Sequence, residues 1–62
     1  MCESTVYIED NGEKIEFMKE VAKIEFTNEA VICYDIIGEK REIPGGKIIL
    51  ADLMNHSIIV AK

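Results

Sequence analysis

Tryptophan is absent from the 62 residues, proline, arginine and histidine occur once each, and tyrosine and phenylalanine occur twice each. Each scarcity excludes something. With one proline, four glycines and 48% hydrophobic residues, the chain is too apolar to be a disordered tail. No stretch approaches the ~20 uninterrupted apolar residues of a membrane span. The opening, Met1 to Asp10, lacks both the basic and the apolar region of a signal peptide. A cytoplasmic protein without a membrane segment is expected, and the lipoprotein reading of an early cysteine falls with the missing signal. Positive charge is scarce as well: 7 basic against 12 acidic side chains leave a formal charge of −5. That balance opposes phosphate neutralisation. Tyr7, Phe17, Phe26 and Tyr34 offer few surfaces for base stacking. Nucleic acid is therefore a disfavoured partner, and Lys40-Arg41 with Lys47 is the sole basic spot.

What is present fits one small domain, residues 1–62. A chain of this size buries only about 60% of its unfolded surface, and its core seldom supplies more than roughly 3–5 kcal/mol. Self-association, a metal or a partner is then expected to add stability, and a homodimer is expected.

Asn11-Gly12, set between alternating segments, carries the signature of a two-residue type I′ hairpin. Pairing Asp10 with Glu13 puts Ile8 opposite Ile15 and Val6 opposite Phe17 on an apolar face, and Glu9 opposite Lys14 on a charged one. A second hairpin turning at Asn28-Glu29 sets Phe26 against Val31 and Ile24 against Cys33, although Glu29 suits a type I′ turn poorly. Phe17, Val21 and Ile24 also sit at helical spacing, but the flanking turn signals come too soon for a helix. Gly38-Glu39 is expected to turn Ile36-Ile37 back onto Arg41–Ile43. Ile43-Pro44-Gly45-Gly46 then makes a corner, and Met54-Asn55-His56 joins the last two strands. The fold expected is all-β, a small SH3-like or Sm-like barrel of six to seven short antiparallel strands. Its last two strands, Ile48-Ile49-Leu50 and Ile58-Ile59-Val60, are apolar on both faces, which points to burial on both sides, the second against another subunit.

Few residues carry chemistry. His56 reads as a turn residue, since histidine tolerates turn conformations; a metal or catalytic role needs partners, and Asp52, Asn55 and Ser57 are ordinary neighbours. The carboxylates are spaced as on a solvated face. Without a secretory signal the two cysteines are expected to be free thiols or metal ligands. Cys33 falls on the core face beside Ile24 and is assigned to packing. Cys2 precedes the first strand, where a thiol returns little packing and adds oxidative liability. It does offer a chelate. If Met1 is removed, the Cys2 amine and thiolate close a five-membered ring; if Met1 stays, its amine, the Cys2 amide nitrogen and the sulfur form fused rings. Such planar nitrogen and sulfur donors suit Ni(II) or Cu(II), whereas Zn(II) prefers a tetrahedral cage. Two such N-termini at a dimer axis complete an N₂S₂ set.

The start Met1-Cys2-Glu3-Ser4-Thr5-Val6-Tyr7, the Asn11-Gly12 hairpin, the Lys23-Ile24-Glu25 segment before a turn, and the close Ala51-Asp52-Leu53-Met54-Asn55-His56-Ser57-Ile58-Ile59 together resemble the CooT family, over essentially the whole chain. The resemblance implies a dimeric nickel-binding accessory protein, a metallochaperone or store, with nickel at the subunit interface through the second-residue cysteine of each chain. Here that residue is Cys2. It also implies a nickel-enzyme maturation partner, carbon monoxide dehydrogenase in the named member. An earlier RNA-binding label for the family rests on fold analogy.

Three other readings compete. The first is an RNA-binding barrel and the second a protein-interaction barrel without a metal site. The third is an enzyme with Cys2 as an N-terminal nucleophile, for which so small a chain has little room to build a pocket and oxyanion hole. A non-catalytic protein is expected.

Overall fold

Asn11 and Gly12 both adopt positive φ, 54° and 83°, as a type I′ turn requires. They join β1 (Ser4–Asp10) to β2 (Glu13–Phe26) in a computed structural model that describes residues 3–62. The pairs Asp10↔Glu13, Glu9↔Lys14 and Ile8↔Ile15 form as the alternation predicts. Val6 does not meet Phe17. An extra residue in β2 makes Val6 pair with Met18, and a second irregularity follows before Ser4 meets Val21. Bulges of this kind bend a strand and bring neighbouring side chains to one face. Met18 is accordingly buried and Phe17 packs against the core beside it. Glu20, within the second irregularity, takes a left-handed φ of 56°.

These bends let one long strand serve two partners. The first part of β2 pairs with β1, and its last part pairs with β3 (Ala30–Asp35), with Phe26↔Val31 and Ile24↔Cys33 in register as expected. Among the described residues outside glycine, only Asn11, Glu20 and His56 have positive φ, so the Asn28-Glu29 turn is not type I′. Thr27 holds it instead. Its hydroxyl accepts hydrogen bonds from the Glu29 and Ala30 amides at 3.1 and 2.9 Å. That is how a glutamate is tolerated there.

The next turn also differs from expectation. The Asp35 carboxylate accepts from the Ile37 and Glu39 amides at 3.0 and 2.8 Å, which places Ile36-Ile37 inside the turn and not in a strand. β4 (Lys40–Pro44) then returns along β3 with Val31↔Ile43 and Cys33↔Arg41. Gly45-Gly46 turns the corner into β5 (Lys47–Asp52), which pairs with β6 (Ser57–Ala61).

The described residues form one six-stranded sheet in the order β4-β3-β2-β1-β6-β5. It is all-β, but the SH3-like or Sm-like closed barrel is not formed. β4 and β5 end the sheet and share no ladder, and Gly45-Gly46 joins them through a corner. Nor is every pair antiparallel: β1 runs parallel to β6, with Thr5↔Ser57 and Val6↔Ile58. The sheet curls around an inner face on which Ile43, Val6, Val31, Val60 and Cys33 are fully buried, and no polar side chain is buried with them. Arg41 of β4 reaches across this face. Its guanidinium lies 4.2 Å from the Phe17 ring centroid and donates to the Phe17 carbonyl at 2.7 Å. Of the last two strands, Ile58 and Val60 are buried but Ile49 and Leu50 remain about half exposed, so the burial expected on both faces does not arise within one chain.

At the corner the backbone touches the core. A Cβ placed on Gly46 would stand 2.9 Å from both Ile43 Cγ2 and Val60 Cγ1, two fully buried side chains with little freedom to yield. Gly46→Ala is therefore expected to destabilise the domain by about 1–3 kcal/mol, read as a lowered midpoint in urea unfolding with an unchanged slope.

Candidate metal site at the start of the first strand

Cys2, the candidate nickel ligand, lies outside the described residues. The strand that follows it is well anchored. Ser4 pairs with Val21, which pairs in turn with Asp35, and on its other side β1 meets β6 at Thr5↔Ser57. The start of β1 therefore stands between the turns before β4 and before β6. Backbone hydrogen bonds tie both turns down: the Ile36 amide donates to the Glu20 carbonyl at 3.0 Å, and the Thr5 amide donates to the His56 carbonyl at 2.8 Å.

These two turns carry apolar side chains into solvent. Ile36 is 50% exposed, Ile37 81%, Leu53 74% and Met54 89%. An open groove of about 450 Å³ lies at the same end, lined by Glu3, Ser4, the Val21–Ile24 stretch of β2, Ile36 and Ile58. Sequence reading placed Ile36-Ile37 in a strand and so missed their exposure; the Asp35 cap was the signal that tells otherwise.

The turn before β6 is rigidly built. Asp52 accepts from the Asn55 side-chain amide at 2.8 Å and from its backbone amide at 3.2 Å. These bonds, with a smaller contribution from the charge of His56, hold the Asp52 carboxyl below the usual carboxylate range. His56 itself is half-buried, has φ 53°, and makes no side-chain hydrogen bond among the described residues. It was read from sequence as an ordinary turn residue, with only its chain neighbours for company. The parallel β1–β6 pairing gives it a further neighbour, the start of β1.

No three of His, Cys, Asp and Glu converge into a metal-binding group among the described residues. Cys33 takes no part in one. It is fully buried on the core face, as expected. Burial pushes its thiol up from the usual range, against a weaker opposing pull from Arg41. A protonated, enclosed thiol is unreactive. In the folded protein at pH 7, Cys33 is expected to resist iodoacetamide and to be alkylated only after denaturant is added, as peptide mass mapping reads out.

The aromatic rings have little left to offer a nucleobase. Lys14 lies over Tyr7 at 4.8 Å, Lys23 over Tyr34 at 4.4 Å and Arg41 over Phe17. The arginine of the basic spot is thus engaged within the fold, and Phe26, 65% exposed, is the one ring in this set without a cation over it among the described residues. No helix among the described residues is long and apolar enough to cross a membrane.

A family profile described as CO dehydrogenase accessory protein CooT matches residues 1–61. Among solved structures, the chain is similar to the crystal structure of a candidate CooT from Carboxydothermus hydrogenoformans, at 26% sequence identity and a TM-score of 0.87, over 98% of this chain and 97% of that one. No curated protein matches.

Proposed function

The chain belongs to the CooT family of CO dehydrogenase accessory proteins, and we propose that it works as a homodimer that carries Ni(II) at the subunit interface, bound through Cys2 of each chain. Nickel is cargo here, held for delivery to a nickel enzyme during its maturation. One observation carries the reading: the strand that follows Cys2 starts between two turns whose Ile36, Ile37, Leu53 and Met54 side chains face solvent. Exposed apolar clusters mark contact surfaces. A two-fold interface uses the same patch on both chains, so an interface built on this end brings the two N-termini towards the axis.

The chemistry agrees with that placement. Cys2 offers a thiolate and main-chain nitrogen, and two such sets make the planar N₂S₂ arrangement that Ni(II) accepts. The donors proposed come from the N-terminal pair. Sharing one ion between two chains also links metal loading to dimer stability, which suits a domain too small to have much stability in reserve.

RNA binding is the competing reading. It finds little support in a chain of charge −5 whose arginine is spent on Phe17.

The test is a Ni(II) titration of untagged protein, followed by the thiolate-to-nickel charge-transfer absorbance and by native mass spectrometry. Saturation at one nickel per two chains is expected. One nickel per chain, or no band, would overturn the shared site.

A further inference from the structure

The tip of the first hairpin holds a reactive pair of residues. Asn11 and Gly12 are both exposed, with φ 54° and 83°. In a two-residue loop the ladder hydrogen bonds belong to the flanking pair, here Asp10 and Glu13, and the Gly12 amide makes no backbone hydrogen bond among the described residues. A Cβ built on Gly12 would meet nothing within 4 Å, so the space around this residue is open. The Asn11 side-chain amide has no hydrogen-bond partner among the described residues either. The other asparagines are guarded. The chain has three, Asn11, Asn28 and Asn55, and no glutamine. After Asn28, the Glu29 amide donates to the Thr27 hydroxyl at 3.1 Å. The Asn55 side-chain amide donates to Asp52 at 2.8 Å. Glu29 and His56 also carry a Cβ beside the following amide nitrogen, and Gly12 does not.

We propose that Asn11 is a site of spontaneous covalent modification in the folded protein, its side-chain amide converted to a carboxylate through a cyclic imide formed with the Gly12 nitrogen. The Gly12 nitrogen gives its proton to water or hydroxide and attacks Asn11 Cγ. The new N–Cγ bond closes a five-membered ring, the Cγ–Nδ2 bond breaks, and Nδ2 takes up a proton and leaves as ammonia. Water then opens the ring. Cleavage of the new N–Cγ bond leaves aspartate. Cleavage between the Gly12 nitrogen and the Asn11 main-chain carbonyl carbon leaves isoaspartate, with the chain running through Cγ. One water is consumed and one ammonia released, and nothing is oxidised or reduced. Ring closure requires rotation about the Asn11 Cα–C bond, so the tip must open. Only the pairing beside the turn is broken, and such local opening costs far less than unfolding the domain. Isoaspartate puts one more carbon into the backbone of a turn whose two residues set the Ile8↔Ile15 register, and the type I′ geometry is lost. Either product adds a carboxylate beside Asp10 and Glu13.

Freshly purified protein is held in mildly alkaline buffer, with a second sample unfolded in guanidinium chloride alongside, and portions taken over time are digested with trypsin. Cleavage after lysine and arginine places the three asparagines in separate peptides, ending at Lys14, Lys40 and Lys62. In the native sample the peptide ending at Lys14 is expected to gain the mass of an amide-to-acid exchange and to split into aspartate and isoaspartate forms on chromatography. It should convert at least about tenfold faster than the other two, a barrier difference of about 1.4 kcal/mol, and faster still as pH rises, since the nucleophile is the deprotonated amide. Asn11→Asp adds the charge but keeps the ordinary linkage, so aged wild type should unfold at lower denaturant than this variant. Equal conversion of all three native peptides, or a native Lys14 peptide unchanged over many times the period that converts the unfolded chain, would overturn the proposal. An unfolding midpoint of aged wild type equal to that of Asn11→Asp would overturn the loss of the turn.

Discussion

Replacing Cys2 by alanine is expected to abolish the thiolate-to-nickel band and the saturable nickel uptake that accompanies it. The substitution removes one sulfur from each chain, so a site shared by two chains loses both of its thiolates at once. Main-chain nitrogen alone is a poor substitute at neutral pH, because an amide yields its proton to a metal far more readily when a strong neighbouring donor anchors the ion. Cys33→Ala is the matched control. That thiol is fully buried, so its loss should leave the titration unchanged while costing about 1 kcal/mol of stability. The wild-type site should also be acid-labile. A thiol has an ordinary pKa near 8.5, nickel binds the deprotonated form, and each thiol that must lose a proton weakens apparent affinity by about tenfold per pH unit below its pKa. Affinity therefore falls as pH falls, by about a hundredfold per unit from the two thiols alone and more steeply where the coordinating main-chain nitrogens also give up a proton. A slope of one proton per nickel would point to a single-thiolate site.

How much of this was legible beforehand depends on the range over which each signal acts. Asn11-Gly12 announces its hairpin because the turn conformation is a property of those two residues, and the pairs nearest the turn follow directly. Five residues further from the turn, at Val6, strict alternation fails. Nothing local shows that β2 holds one more residue than β1 there, although Phe17-Met18 as adjacent apolar residues is what such a bulge leaves in the sequence. The failure at Ile36-Ile37 is of another kind: hydrophobicity argued for a strand, and the Asp35 carboxylate won by capping two amides. Alternation also says nothing about closure. Six strands make a barrel only if the two edge strands pair; here β4 and β5 are the edges and share no ladder, with Gly45-Gly46 joining them through a corner. Of the candidate site, Cys2 was singled out by its own donors. That the turn before β6 stands beside the start of β1 was invisible, since the parallel pairing of the first and last strands has no sequence signature at either end.

That same pairing makes the proposed interface testable with side chains that take little part in the fold. Ile37 and Met54 are 81% and 89% exposed, so Ile37→Glu with Met54→Glu removes little packing within a chain. Across a two-fold axis the four introduced carboxylates would be forced together in a closing, water-poor contact, where like-charge juxtaposition costs several kcal/mol. A hundredfold or greater rise in the dimer dissociation constant is expected, about 2.7 kcal/mol or more, seen by sedimentation as a monomer at concentrations where the wild type is dimeric. Phe26→Glu is the control. Phe26 is 65% exposed but stands beside the Thr27 turn, at the far end of the β2–β3 pair from Asp35, so the dimer should survive its change. The metal then ties the two results together. A dimer held only by apolar contact would lose its partner and keep a weak single-chain nickel site, whereas a dimer that shares its nickel should recover part of its association when Ni(II) is added to the doubly charged variant. Dissociation by Phe26→Glu, with the double variant remaining dimeric, would place the interface at the opposite end and leave the two N-termini unable to share an ion.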